Sequence, residues 1–215
     1  MSEQHLSSID RAIIGLDRVL RTLSNSTEAH SRTSPSKKVD NPQELTQQEQ
    51  KHAAGLMRVN HAGEVCAQAL YQGQALTAKL PHVRDDMNQA AEEELDHLAW
   101  CEERLSELNA RPSIFNPLWY GLSLGMGAGA GFISDKVSLG FVAATEKQVC
   151  QHLESHMEKL PENDQKSRAI VSQMLEDEAK HEKAALNAGG VLFPSPLRRA
   201  MSAVSRVMTE ASYKV

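Results

Sequence analysis

Among the places where a glutamate stands three residues ahead of a histidine, two share a context: Glu94 with His97 in EEELDHLAW, and Glu178 with His181 in DEAKH. Three residues on a helix is about 300°, so both members of a pair lie on one face, one turn apart. Each pair follows a lone glutamate on the preceding helical stretch. Glu64 lies 30 residues before Glu94, and Glu146 lies 32 before Glu178. The first set maps onto the second with offsets of 82, 84 and 84 residues. The chain therefore reads as two helical hairpins, each giving one Glu and one Glu-x-x-His. Packed together they converge four carboxylates and two imidazoles on one interior, the ligand set of a dinuclear carboxylate site in a helical bundle.

That donor set suits two divalent cations. Four carboxylates carry about four negative charges, which two such ions balance in a buried site. The oxygen-rich set with two nitrogens suits iron or manganese over copper or zinc. Without metal the acids would repel, raise one another's pKa and partly neutralise. One Glu-x-x-His on a helix is a weak signal, because surface pairs at that spacing are common. Two of them, each preceded by a glutamate on the helix before, are far more specific.

The metal ligands expected are thus Glu64, Glu94, His97, Glu146, Glu178 and His181, with no catalytic residue beyond them. Glu93 and Asp177 stand four residues before the histidines on nearly the same face. The duplication favours Glu94 and Glu178 as ligands, since both halves then use the same residue type. Glu93 and Asp177 become outer partners, accepting from the free N–H of a metal-bound histidine, that of the opposite motif being one arrangement. His61 lies near the site, but its counterpart is Ala143, so it reads as a hydrogen-bonded core histidine. Cys101 and Cys150 read as small buried packing residues, and Glu102, Glu103, Glu154 and Glu158 as solvated faces.

Periodicity and caps lay out the helices. Leu6, Ile9, Ile13, Leu16, Val19, Leu20 and Leu23 recur at helical spacing over 3–24. A polar, Ser-rich stretch follows, SNSTEAHSRTSPSKKVDNP, which reads as a mobile linker. TQQE at 46–49 is a capping box opening a helix to about 79. Further helices are expected over about 81–109, 134–160, from there to about 187, and 195–210, with the glycines at 189 and 190 closing the fourth long one. No alternation typical of strands is present. The expected fold is all-α, a four-helix bundle with extra flanking N- and C-terminal helices, in which 1–45 is an amphipathic helix and linker and 46–215 the metal-binding domain.

The chain has 215 residues and a net charge of −5 with 4% aromatics, which disfavours nucleic-acid binding. Its three cysteines form no paired framework and read as reduced, intracellular thiols. The first residues carry no basic stretch ahead of an apolar core and do not read as a secretory signal. From Pro112 to Ser134 no residue is charged. Two prolines and five glycines make this run a poor spanning helix. A membrane-touching or ligand-lining segment is expected instead.

Together, MRVNHAGE, EEELDHL and DEAKH resemble the demethoxyubiquinone hydroxylase family of ubiquinone biosynthesis, from about residue 50 onward. The resemblance implies a ferritin-like fold and a di-iron monooxygenase held peripherally on the cytoplasmic face of the inner (cell) membrane. Its substrate would be a polyprenyl benzoquinol, hydroxylated at the unsubstituted ring carbon, with O2 as co-substrate and NADH as reductant. One oxygen atom enters the ring and the other leaves as water. Other proteins of ubiquinone biosynthesis and a second copy of the chain would be further partners. Some members carry a His-Tyr pair where this chain has His152 and Leu153, which puts a tyrosine-dependent step at that place in doubt. The N-terminal segment lies outside the shared core. A basic rim on the last helix, Arg198, Arg199 and Arg206, would meet anionic headgroups. Two rivals stand beside this reading. A rubrerythrin-like peroxidase usually carries a C-x-x-C pair, which is absent here. A ferritin-like iron store would need no apolar run at 112–134.

Overall fold

The computed structural model describes residues 8–23 and 32–215. Seven α-helices are described: α1 Ser8–Leu23, α2 Gln47–Thr77, α3 Pro81–Glu107, α4 Asn116–Ile133, α5 Asp135–Lys159, α6 Gln165–Asn187 and α7 Ser195–Lys214. A single 3-10 turn, Pro35–Lys38, precedes α2. No strand occurs among the described residues. Leu6 lies outside the described residues, as do the side chains of Ile9, Ile13 and Leu16.

The ends of the long helices follow from local chemistry. Thr46 accepts from the Glu49 amide and the Glu49 carboxylate accepts from the Thr46 amide, the reciprocal cap that the sequence carries. Ser134 caps α5 at the Val137 amide, and Asp164 caps α6 at the Ser167 amide. Gly189, with φ of +99°, turns the chain after α6 in a conformation that favours glycine. Asp135 accepts from the amides of Lys79 and Leu80 at 2.9 Å each, tying the α2–α3 turn to the start of α5.

Hairpin α2–α3 packs against hairpin α5–α6, giving the ferritin-like bundle. Two apolar clusters fill its ends. One gathers Met57, Trp100, Leu105, Leu153, Ile170 and Met174. The other gathers Tyr71, Val83, Met87, Leu139, Val142 and Ala185. On every long helix the candidate ligands fall between these clusters, so the polar layer is sealed by apolar layers above and below.

The uncharged run is helical. α4 lies along α2 at backbone contact: a side chain on Gly73 would strike the Leu124 carbonyl, and one on Gly127 the Leu70 carbonyl. Thr77 donates to the Ala128 carbonyl at 3.1 Å across the same crossing. The glycines that disfavour an isolated helix thus permit this close packing. The outward face is Leu118, Gly121, Leu122, Gly125, Met126, Gly129, Phe132 and Ile133, all exposed and none charged or polar. Among the described residues no helix is long and apolar enough to cross a membrane. On α7, Leu197, Val204 and Val207 are exposed as well, with Arg198, Arg199 and Arg206 also at the surface.

Two sequence expectations change. Cys101 is buried, but Cys150 is only half-buried. Glu102 is not a solvated residue: it is half-buried, with Oε1 enclosed and unpartnered, and burial raises its pKa.

Candidate metal centre

The polar layer is built one side chain per helical turn. α2 brings Glu64, α3 brings Glu94 and His97, α5 brings Glu146, and α6 brings Glu178 and His181. All are buried except His181, which is 13% exposed. Glu64, Glu94, His97 and Glu178 offer ligand atoms that all lie within 4.8 Å of one another. His97 Nδ1 stands 3.1 Å from Glu94 Oε2, 3.1 Å from Glu178 Oε1 and 3.6 Å from Glu64 Oε2. His181 Nδ1 stands 3.1 Å from Glu94 Oε1 and 3.3 Å from Glu178 Oε2. Glu94 and Glu178 therefore each turn one oxygen to each histidine. Glu64 belongs to the His97 side. Glu146 lies toward His181, close enough for the charges of Glu94 and Glu178 to act on it.

The histidine Nε2 atoms point outward to the acids of the opposite motif. His97 Nε2 is 3.2 Å from Asp177 Oδ2, and His181 Nε2 is 2.9 Å from Glu93 Oε2. With Nε2–H donated to these acids, it is Nδ1 that faces the interior, and loss of its proton would free the lone pair that a ligating histidine uses. Tyr71 donates to Glu146 Oε1 at 2.6 Å. Asn116, at the start of α4, meets His61 Nδ1 at 3.2 Å, and burial pushes His61 down to about 4, so it is a neutral core histidine.

Protonation within the layer follows from the same crowding. Burial, with Glu94 and Glu178 nearby, raises Glu64 and Glu146 well above the ordinary carboxylate range. Burial also acts to raise Glu94, but His97 and His181 outweigh it and hold Glu94 low. Burial opposes charge on His181, yet Glu178 and Glu94 push it up to about 12. His97 is raised in the same way, by Glu94, Asp177, Glu178 and Glu64 against burial. Protons thus hold the acids together where cations would otherwise do so. One enclosed carboxylate oxygen, Glu146 Oε2, accepts no hydrogen bond, and Glu94 Oε1 and Glu64 Oε2 have only ion-pair contacts with His181 and His97, at 3.1 and 3.6 Å, outside hydrogen-bond geometry. Unsatisfied buried acceptors of this kind cost about 1–3 kcal/mol each. The donor types, their paired geometry and these orphan oxygens fit two divalent cations, one beside each histidine.

Residues 51–212 match the family described as ubiquinone biosynthesis protein COQ7. The chain belongs to the COQ7 family. It is 57% identical to 3-demethoxyubiquinol 3-hydroxylase of Stutzerimonas stutzeri (strain A1501) and 58% identical to that of Ectopseudomonas mendocina (strain ymp). It is 55% identical to that of Pseudomonas aeruginosa (strain LESB58). Each alignment covers 100% of this chain and 99% of the relative. The COQ7 match begins at residue 51, but the likeness to these relatives runs through the N-terminal segment too.

Three residues at the COQ7 site were missed by sequence reasoning. Tyr71 lies seven residues after Glu64, two turns along the same face, and that spacing was a usable signal. By the 82-residue offset it is the counterpart of Leu153, so the phenol sits in the first hairpin and not the second. Arg32 and Asp96 had no such signal. Arg32 Nε donates to Asp96 at 2.7 Å and Nη1 to Asp177 at 2.7 Å, partners 64 and 145 residues away. The Ser-rich stretch expected to be a mobile linker falls partly on 24–31, outside the described residues. From Arg32 onward it engages the bundle, through Arg32, the Pro35–Lys38 turn and Asn41.

Proposed function

We propose that the chain is a 3-demethoxyubiquinol 3-hydroxylase, a monooxygenase that places one oxygen atom of O2 on the benzoquinol ring of a ubiquinone precursor. The observation that carries this is end-to-end identity above 54% to relatives of that name. Residues 46–215 are the catalytic body and 1–45 an accessory segment.

The proposed ligands are Glu64, Glu94, Glu178 and His97 for one iron, and Glu146, Glu94, Glu178 and His181 for the other. Bound iron, reduced with electrons that originate in NADH, supplies the activation of O2. The residues do the rest. Glu94 and Glu178 set the spacing of the two positions by sharing their oxygens between the histidines. Tyr71 fixes one oxygen of Glu146 and leaves Oε2 for the metal. Asp177 and Glu93 hold the two imidazole rings in orientation. The apolar clusters on either side exclude water from the layer.

A cavity of about 250 Å³ opens beside His181, walled by Tyr71, Met87, Leu139 and Val142. Its apolar walls suit an aromatic ring, and it gives that ring access to the His181 half of the centre. A polyprenyl quinol resides in the bilayer, so the enzyme must work at a membrane surface. The uncharged outer face of α4 and the exposed apolar residues of α7, rimmed by arginines, are the proposed contact with lipid.

The test is conversion of a demethoxyquinol to its hydroxylated product by purified protein with ferrous iron, O2 and a reductant. Glu178→Ala abolishes conversion if the reading is right. Full activity of that variant removes Glu178 from the site, and a wild-type chain that never converts the quinol refutes the function.

A further inference from the structure

The two histidines differ in how their outer acids are held. Asp177, which takes His97 Nε2, also accepts from Arg32 Nη1 on the same oxygen at 2.7 Å, and from Lys180 and Gln173 on the other. Arg32 is held by several contacts, with Nη2 also 3.4 Å from His97 Nε2, although its side chain is 40% exposed. Its Nε and backbone amide both donate to Asp96, at 2.7 and 3.2 Å. Its guanidinium lies 4.8 Å from the centre of the Trp100 ring, and the Trp100 indole donates to its carbonyl at 3.1 Å. One residue ahead of the bundle thus joins α3 to α6 directly outside His97.

The His181 side has nothing comparable. Its partner Glu93 has a side chain 44% exposed, and Gln89 holds the other oxygen at 3.0 Å. Among the described residues no Lys or Arg pairs with Glu93. The cavity also opens on this side, past Glu93 and His181.

We infer that Arg32 is a positioning residue for the metal beside His97, acting through Asp177, and that it makes the two metal positions unequal. The His97 position is enclosed and braced. The His181 position is open to the cavity and its outer acid is loosely held, so its metal exchanges more readily. A planar guanidinium suits this task because its fork can bind two carboxylates in fixed directions, which a lysine ammonium cannot. Outer partners of this kind change metal affinity by about 10-fold to 100-fold when removed. The inference rests on the proposed ligand assignment.

The experiment isolates each position in the full-length chain. Glu146→Ala leaves the His97 position, and Glu64→Ala leaves the His181 position. Manganese(II) is titrated anaerobically into each background with and without Arg32→Ala, and the thermal midpoint of the metal-free protein is recorded. Arg32→Ala is expected to weaken binding about 10-fold to 100-fold in the Glu146→Ala background and to leave it unchanged in the Glu64→Ala background. Arg32→Lys, which keeps the charge without the fork, is expected to fall between, and it serves if Arg32→Ala does not fold. Equal weakening in both backgrounds makes Arg32 merely structural and overturns the inference, as does no weakening in either. A wild-type chain that takes up no metal overturns the ligand assignment itself.

Discussion

Glu94 and Glu178 stand across the bundle axis so that each carboxylate has one oxygen against His97 Nδ1 and the other against His181 Nδ1. Glu64 lies with His97, and Glu146 with His181. That division ranks the ligands. Glu94→Ala or Glu178→Ala takes a donor from both positions, and bound iron falls from about two per chain toward none. Glu64→Ala or Glu146→Ala takes a donor from one position and leaves about one. Metal analysis after gel filtration separates these outcomes; four variants with equal iron content would refute the shared role.

The α2–α4 crossing predicts opposite effects of the same substitution. A methyl at Gly127 meets the Leu70 backbone, which cannot move aside as a side chain can. Gly127→Ala should lower stability by about 1–3 kcal/mol through overpacking. A methyl at Gly125 meets nothing within 4 Å. Gly125→Ala, on the exposed face of the same helix, should be neutral or stabilise by up to about 1 kcal/mol. Urea unfolding of the two variants reads the difference, and equal midpoints would mean the helices are not in backbone contact.

His152 and His156 form a close, tilted pair with ring centres 3.9 Å apart and planes inclined at 56°. Burial, with Lys159 nearby, lowers His152 to about 4; burial, His152 and the neighbouring Lys159 and His52 lower His156 to about 2. Both folded values lie below the unfolded value of about 6.5. The unfolded chain therefore takes up protons first as pH falls. The contribution is present above pH 6.5 and is lost progressively through pH 4 and below. His156→Leu should make the loss of stability between pH 6.5 and 4 shallower by roughly 2 kcal/mol. Parallel stability curves for wild type and variant would contradict the burial of a neutral imidazole there.

Leu118 and Leu122 are each 53% exposed on the uncharged face of α4. Leu118→Glu with Leu122→Glu should leave the fold intact and weaken sedimentation with phospholipid vesicles by roughly tenfold or more, from lost apolar burial alone. Unchanged vesicle binding would place the lipid contact elsewhere.

Much of this arrangement is legible from residue spacing. The Glu-x-x-His pairs announce themselves because a helix converts a three-residue interval into a shared face, and the near-equal offsets pair the two hairpins. Thr46 and Glu49 mark a helix start by local chemistry alone. α4 was not legible as a helix, because Gly121, Gly125, Gly127, Gly129 and Gly131 each weaken an isolated helix by about 1 kcal/mol. Its stability comes from α2, a neighbour distant in sequence. Arg32 was hidden for the same reason: its role exists only once Asp96 and Asp177 are brought together, and a Ser-rich surrounding sequence says nothing of that. Cys150 shares a helical face with Glu146, but spacing does not tell how far a face extends into the core.

Six side chains on four helices are proposed to hold two metal ions. The decisive measurement is anaerobic titration of the metal-free chain with ferrous iron, with bound metal quantified at equilibrium. Saturation is expected at about two irons per chain, with proton release as His97 and His181 lose the protons they hold in the metal-free layer. Saturation at one, or no uptake above that of a Glu94→Ala, Glu178→Ala double variant, would contradict it.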